Sequence, residues 1–143
     1  MIFEIFSEPR PQKQTEYGKR KFYDPSKQMK QAIQWQIRPD APKEPLSGPV
    51  KVSITFYMPI PKQTSKMHRR QMINGKSVPI KRPDLDNLAY LITNAMNEIV
   101  YEDDRQIVDL VLRKRYAEVP KTVIKVVELD SLKDEDLKDQ DIA

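Results

Sequence analysis

Four aspartates carry the chemistry that this sequence admits. Asp84 and Asp86 sit in the run Lys81-Arg82-Pro83-Asp84-Leu85-Asp86-Asn87-Leu88, and Asp103 and Asp104 follow some seventeen residues later. Carboxylates are hard oxygen ligands, and three or four of them in one space repel each other until a divalent cation such as Mg2+ or Mn2+ neutralises them. An ion held this way polarises a phosphodiester, generates hydroxide from bound water and stabilises the leaving oxygen without a protein nucleophile. Pro83 biases Arg82 toward an extended shape. If that shape continues, the two-residue period puts Asp84 and Asp86 on one side and turns Leu85 into the core. The same residues also admit a purely structural reading, with Asp86 or Asn87 capping the next helix and Glu102 to Asp104 forming a solvated turn. An EF-hand is a poorer explanation, because this segment enters an apolar helix where that loop needs a glycine turn and a closing glutamate.

The rest of the composition narrows the choice. There is no cysteine and a single histidine, His68, so disulfides, thiolate zinc sites and multi-histidine metal centres are excluded and any metal sits on oxygen. His68 reads as a solvent-exposed side chain rather than a catalytic base. From Asp130 onward six acids face two lysines, so that segment carries −4, while the chain as a whole is +4; the body before it is therefore strongly basic. A basic body draws polyanions, nucleic acid first among them. Between Pro61 and Arg82 the cations Lys62, Lys66, Arg69, Arg70, Lys76, Lys81 and Arg82 occur without a single acid. These residues, with Arg10 and Lys13 of an early loop, form the expected DNA-binding set, although lysine-rich loops are commonly just solvated surface. Tyr17, Phe22 and Tyr23, among Lys19, Arg20 and Lys21, suit either base stacking or packing over a sheet. Trp35 and Ile37 read as core or interface. No signal peptide or membrane span is legible, and a soluble, cytoplasmic protein with no membrane partner and no small-molecule cofactor is expected.

The elements that must position these groups follow from periodicity. Residues 2 to 6 read as a strand, and Asp24-Pro25 as the start of a helix that carries Met29, Ala32, Ile33 and Ile37 on one face and ends before Pro39. Val50, Val52, Ile54, Phe56 and Met58 alternate with polar residues, as a half-wet strand requires. The basic stretch from Pro61 reads as a long loop with one helical turn near Met67 to Met72. The next helix, with Leu88, Leu91, Ile92, Ala95, Met96 and Ile99 along one side, is the best defined. Strands over Val108 to Tyr116 and Thr122 to Leu129 are expected to pair as an antiparallel hairpin. The expectation is an α+β fold: one domain over residues 1–130 with a small mixed sheet, two main helices and a C-terminal β-hairpin, in the order β-α-β-loop-α-β-β. Residues 131–143 are expected to form an acidic tail that is disordered or loosely helical. Shielding of the basic surface is one use for such a tail; a solvated tail is the simpler one.

The two acidic stretches also carry a resemblance. Arg82-Pro83-Asp84-Leu85-Asp86-Asn87-Leu88, an amphipathic helix, and Val100-Tyr101-Glu102-Asp103-Asp104-Arg105-Gln106-Ile107 resemble the signature of RusA-type Holliday junction resolvases, as do the early Pro9-Arg10-Pro11 loop and the Tyr23-Asp24-Pro25 helix start. The resemblance implies an α+β homodimer that uses Mg2+ to cut four-way, branched DNA by paired symmetric nicks in recombination and repair. It implies Asp84, Asp86 and Asp104 as catalytic acids, with Asp103 beside them on the metal. The chain departs from the pattern at Tyr90, where such proteins often carry a lysine. Lys81, Lys76 or Lys66 then supplies the missing charge, or turnover is weakened. The alternatives are a non-catalytic branched-DNA-binding protein and a general structure-specific nuclease acting on flaps or RNA hybrids.

Overall fold

Half-buried residues between the fully buried ones mark the central strand. A computed structural model describes residues 1–12 and 26–129, and the backbone alone at 16–17 and 22–23. Strand β1 spans Ile2–Ile5, and two short strands, β2 (Glu16–Tyr17) and β3 (Phe22–Tyr23), pair with each other. Helix α1 covers Lys27–Ile37, β4 Val50–Pro59, α2 Lys66–Ile73, α3 Leu85–Ala95, β5 Ile107–Ala117 and β6 Lys121–Glu128. In β4, Val50, Val52, Ile54, Phe56 and Met58 are all buried and the residues between them half-buried, which requires a neighbour on each side. The sheet order is accordingly β1-β6-β4-β5. β5 runs parallel to β4, whereas β6 runs antiparallel to both β4 and β1.

One face of this sheet is covered. Phe3 and Ile5 of β1, the buried residues of β4, and Ile124 and Val126 of β6 meet Ile33 and Ile37 of α1 and Leu88, Leu91, Ile92 and Ala95 of α3 in a single core. Removing this apolar surface from water, at roughly 25 cal/mol per Å2, is the main favourable term holding the fold.

The α+β class, the mixed sheet and the order of elements are those expected from the sequence. One pairing is different: β5 and β6 do not form a hairpin, because β4 lies between them. Periodicity fixes which face of a strand is buried but not which strand lies beside it. The residues between Ala117 and Lys121 bridge two strand spacings, about 10 Å, within the reach of extended chain. α3 begins at Leu85, ahead of the first apolar position Leu88, and ends at Ala95, before the Met96 and Ile99 that continue the apolar spacing. The basic stretch holds a full helix, α2, whose N-cap Ser65 side chain accepts from the His68 amide at 3.2 Å. Ile37 is fully buried, but Trp35 is 77% exposed and is no part of the core. The Asp24-Pro25 helix start, Lys13, the side chains of Tyr17, Phe22 and Tyr23, and the acidic tail over 131–143 lie outside the described residues.

Candidate active site

The first acidic pair is built by the start of α3. Asp84 is its N-cap residue, with extended backbone (φ −70, ψ 148), yet its side chain makes no capping hydrogen bond. Asp86 lies in the first helical turn. Both carboxylates therefore stand at the positive end of the helix dipole, which favours negative charge. The extended run expected through Asp86 stops at Asp84, so the two acids do not share a face by strand periodicity; they are neighbours at a helix end. Both are exposed, and Asp84 borders an open hollow with Pro11, Arg82, Pro83 and Asn87. The bland alternative, in which Asp86 or Asn87 caps this helix, does not hold: the N-cap position falls on Asp84, and its side chain makes no capping bond.

The second pair forms a 3-10 turn over Asp104–Gln106. Asp103 is its N-cap: the Asp103 carboxylate accepts from the Gln106 backbone, and the Asp103 amide donates to Gln106 Oε1 at 2.8 Å, a reciprocal capping box. Gln106 Nε2 donates in turn to the Leu46 and Gly48 carbonyls at 2.8 and 2.9 Å, fixing the turn to the chain that enters β4. Asp103 Oδ2 also lies 3.2 Å from Arg105 Nη1. Asp104 takes no part in the capping box or the Arg105 pair, and its side-chain tie is to Asp103 itself. Burial, the neighbouring Asp103 charge and a hydrogen bond shared with Asp103 push its carboxyl above the usual carboxylate range, against a smaller opposing effect of its own backbone. Beneath them Tyr101 is fully buried, and its hydroxyl donates to the Thr93 carbonyl at 2.6 Å. Burial, followed by the Asp104 and Asp103 charges, raises its pKa far above the ordinary value, so this hydroxyl stays protonated.

The chain does not bring the two pairs together. Tyr101 ties the Asp103–Asp104 turn to the C-terminal end of α3, whereas Lys114 of β5 ties Pro83, just before Asp84, to the opposite end of the helix. The 11 residues of α3 span about 16 Å, and the run of β5 back from Ile107 to Lys114 spans about 23 Å. Among the described residues, no three Asp, Glu or His side chains are grouped closely enough to hold one metal ion. The expected cluster of Asp84, Asp86, Asp103 and Asp104 is therefore not assembled within one chain. The donors are the right chemistry for Mg2+, but a single copy does not present them as a set.

Of the expected cations, Arg82 lines the hollow beside Asp84 and Lys81 precedes it in the chain. Arg10, Lys62, Lys66, Arg70, Lys76, Lys81 and Arg82 are exposed. Arg69 is different: its guanidinium lies 3.7 Å from Glu118 at the end of β5, so an acid remote in sequence balances one charge of the acid-free stretch. Tyr90, one turn beyond Asp86, is 56% exposed.

Three residues that build the site were not singled out by the sequence: Gln106, Tyr101 and Lys114. The Asp103-to-Gln106 spacing of a capping box was the one legible signal. Lys114 was hidden in the run Arg113-Lys114-Arg115, where alternation on a strand gives no reason to separate one cation from its neighbours. Comparison with known proteins matches the sequence to the family described as Endodeoxyribonuclease RusA over residues 3–127, a span that includes both acidic stretches and the elements joining them. The chain is also 31% identical over 137 residues to an uncharacterized protein, YqaN, of Bacillus subtilis (strain 168), covering 90% of this chain and 96% of that protein. A match through nearly the whole of the described fold, with Asp84 and Asp104 both inside it, makes this chain a member of the RusA endodeoxyribonuclease family.

Proposed function

We propose that the protein is a Mg2+-dependent endonuclease that resolves four-way DNA junctions by paired symmetric nicks, acting as a homodimer in the cytoplasm during DNA recombination and repair. The observation that carries this reading is the placement of Asp84: an exposed carboxylate in the family's acidic stretch, released from capping, at the end of a basic segment. The basic residues from Lys62 to Arg82 are suited to holding phosphates, which positions a backbone without reading its bases. A junction needs two cuts, and a two-fold dimer supplies two identical sites. The separation of the acid pairs within one chain supports the same arrangement, because a second copy can set its Asp103–Asp104 turn against the first copy's Asp84 and Asp86. What a divalent ion adds at such a set is activation of water and neutralisation of charge on the phosphate.

The deciding experiment compares the full chain with Asp84→Asn on a four-way junction, a flap and a linear duplex, in Mg2+ and in Mn2+. We expect paired nicks on the junction from the full chain, and loss of nicking with junction binding largely retained in the variant. Full activity in Asp84→Asn removes the assigned role. Salt-sensitive binding without cleavage in either metal favours a non-catalytic branched-DNA-binding protein, a reading for which Tyr90, in place of a lysine, is the supporting observation. Equal cleavage of flap and junction favours a general structure-specific nuclease, since metal chemistry alone does not choose the substrate.

A further inference from the structure

The inner face of β5 presents Leu110, Leu112, Lys114 and Tyr116 opposite Val52, Ile54, Phe56 and Met58 of β4. Lys114 is the one charge in that row. A half-buried ammonium must find acceptors, and this one finds two backbone carbonyls. Its Nζ donates to the Lys81 carbonyl at 2.8 Å and to the Pro83 carbonyl at 2.9 Å. Both carbonyls belong to the short stretch that delivers Asp84 to the start of α3. Arg82, exposed, sits between them.

The consequence is geometric. The chain from Ser77 to Arg82 forms no helix or strand, and the Asp84 side chain holds no cap, so neither regular structure nor capping fixes the direction from which Asp84 enters. Lys114, anchored on a strand of the main sheet, supplies that fix from 31 residues away. We propose that Lys114 is the positioning residue of the candidate active site: by clamping the Lys81 and Pro83 carbonyls it sets where the Asp84 carboxylate and the Arg82 guanidinium stand relative to each other. A carboxylate for a cation and a guanidinium for a phosphate then leave one fixed piece of backbone. Lys114 does this through the backbone, so it acts on the site without contacting a reacting group.

The inference rests on the nuclease reading only for its effect on rate, so its test has two arms. Lys114→Met keeps the apolar stem and removes the donors, whereas Lys114→Arg keeps a charged donor of different shape. The first arm is hydrogen exchange on the full chain. The Leu88 amide, bonded to the Asp84 carbonyl at 3.1 Å, is expected to exchange roughly ten-fold faster in Lys114→Met, with β4 and β6 amides unchanged and Lys114→Arg in between. Unaltered exchange at Leu88 overturns the clamp, and faster exchange throughout β4 and β6 overturns a local role. The second arm is junction nicking, where Lys114→Met is expected to lose about ten- to a hundred-fold in kcat with little change in KM, as misplacement of a reacting group does. Local loosening with kcat intact sinks the positioning role. A full chain that cuts no substrate refutes the nuclease reading instead, and the exchange result still decides whether the clamp exists.

Discussion

Asp103 and Asp104 are adjacent, yet the structure gives them opposite duties. Asp103 caps its turn and faces Arg105, so Asp103→Ala is expected to cost about 1 kcal/mol of stability, most of it the lost cap, since exposed ion pairs contribute little. Asp104 has a raised pKa, so the folded chain holds its proton more tightly than the unfolded chain does. The stability linked to that proton is fully present below the ordinary carboxylate range and is lost as pH rises through the raised value. Asp104→Asn removes the loss. We expect its thermal midpoint to be unchanged below about pH 3 and equal to or above that of the parent at neutral pH, while nicking disappears. A lower midpoint at neutral pH would mean that the Asp104 carboxylate serves the fold rather than the chemistry.

At the scale of elements, α3 is the rod that holds the acid pairs apart, and its C-terminal end shows how firmly. The last carbonyls of a helix lack partners within it. Here the Ile92 carbonyl accepts from Met96, Thr93 from the Tyr101 hydroxyl, Asn94 from Asn97 and Ala95 from Gln34 of α1. Tyr101→Phe leaves the Thr93 carbonyl without its buried donor, and roughly 1–3 kcal/mol of stability should be lost in urea unfolding. No change would place the grip on the acidic turn in Gln106 alone. Much of this level was legible in the sequence: Leu88, Leu91, Ile92 and Ala95 announced α3 because a buried helical face imposes its own period, and β4 did so by alternation. The β4 insertion between β5 and β6 was not, because strand pairing depends on contacts far apart in the chain. The site was half legible for the same reason. The four aspartates could be read from residue type and spacing, but the length of α3 and the Lys114 clamp decide whether they meet, and those are properties of packing.

At the scale of the whole molecule, the proposed homodimer would account for two features of one chain: its acids lie at opposite ends of α3, and its edge strand β5 exposes Val108 (55%) and Leu110 (46%) just beyond Asp104. An open edge bearing apolar side chains invites another chain. Leu110→Glu is therefore expected to shift the protein toward monomer in sedimentation and to abolish nicking, and a dimer that persists would move the interface elsewhere. A mixing experiment tests the composite site directly. Asp84→Asn and Asp104→Asn are each inactive alone in this reading, because every site in either homodimer lacks one acid. In a mixed dimer whose sites draw acids from both copies, one site collects both substitutions and the other collects none. Unfolding and refolding the two variants together should then restore nicking of one strand per junction, with the paired second cut missing. If each chain builds its own site, both sites of the mixed dimer remain defective and mixing restores nothing, so recovery of single nicks separates the two architectures.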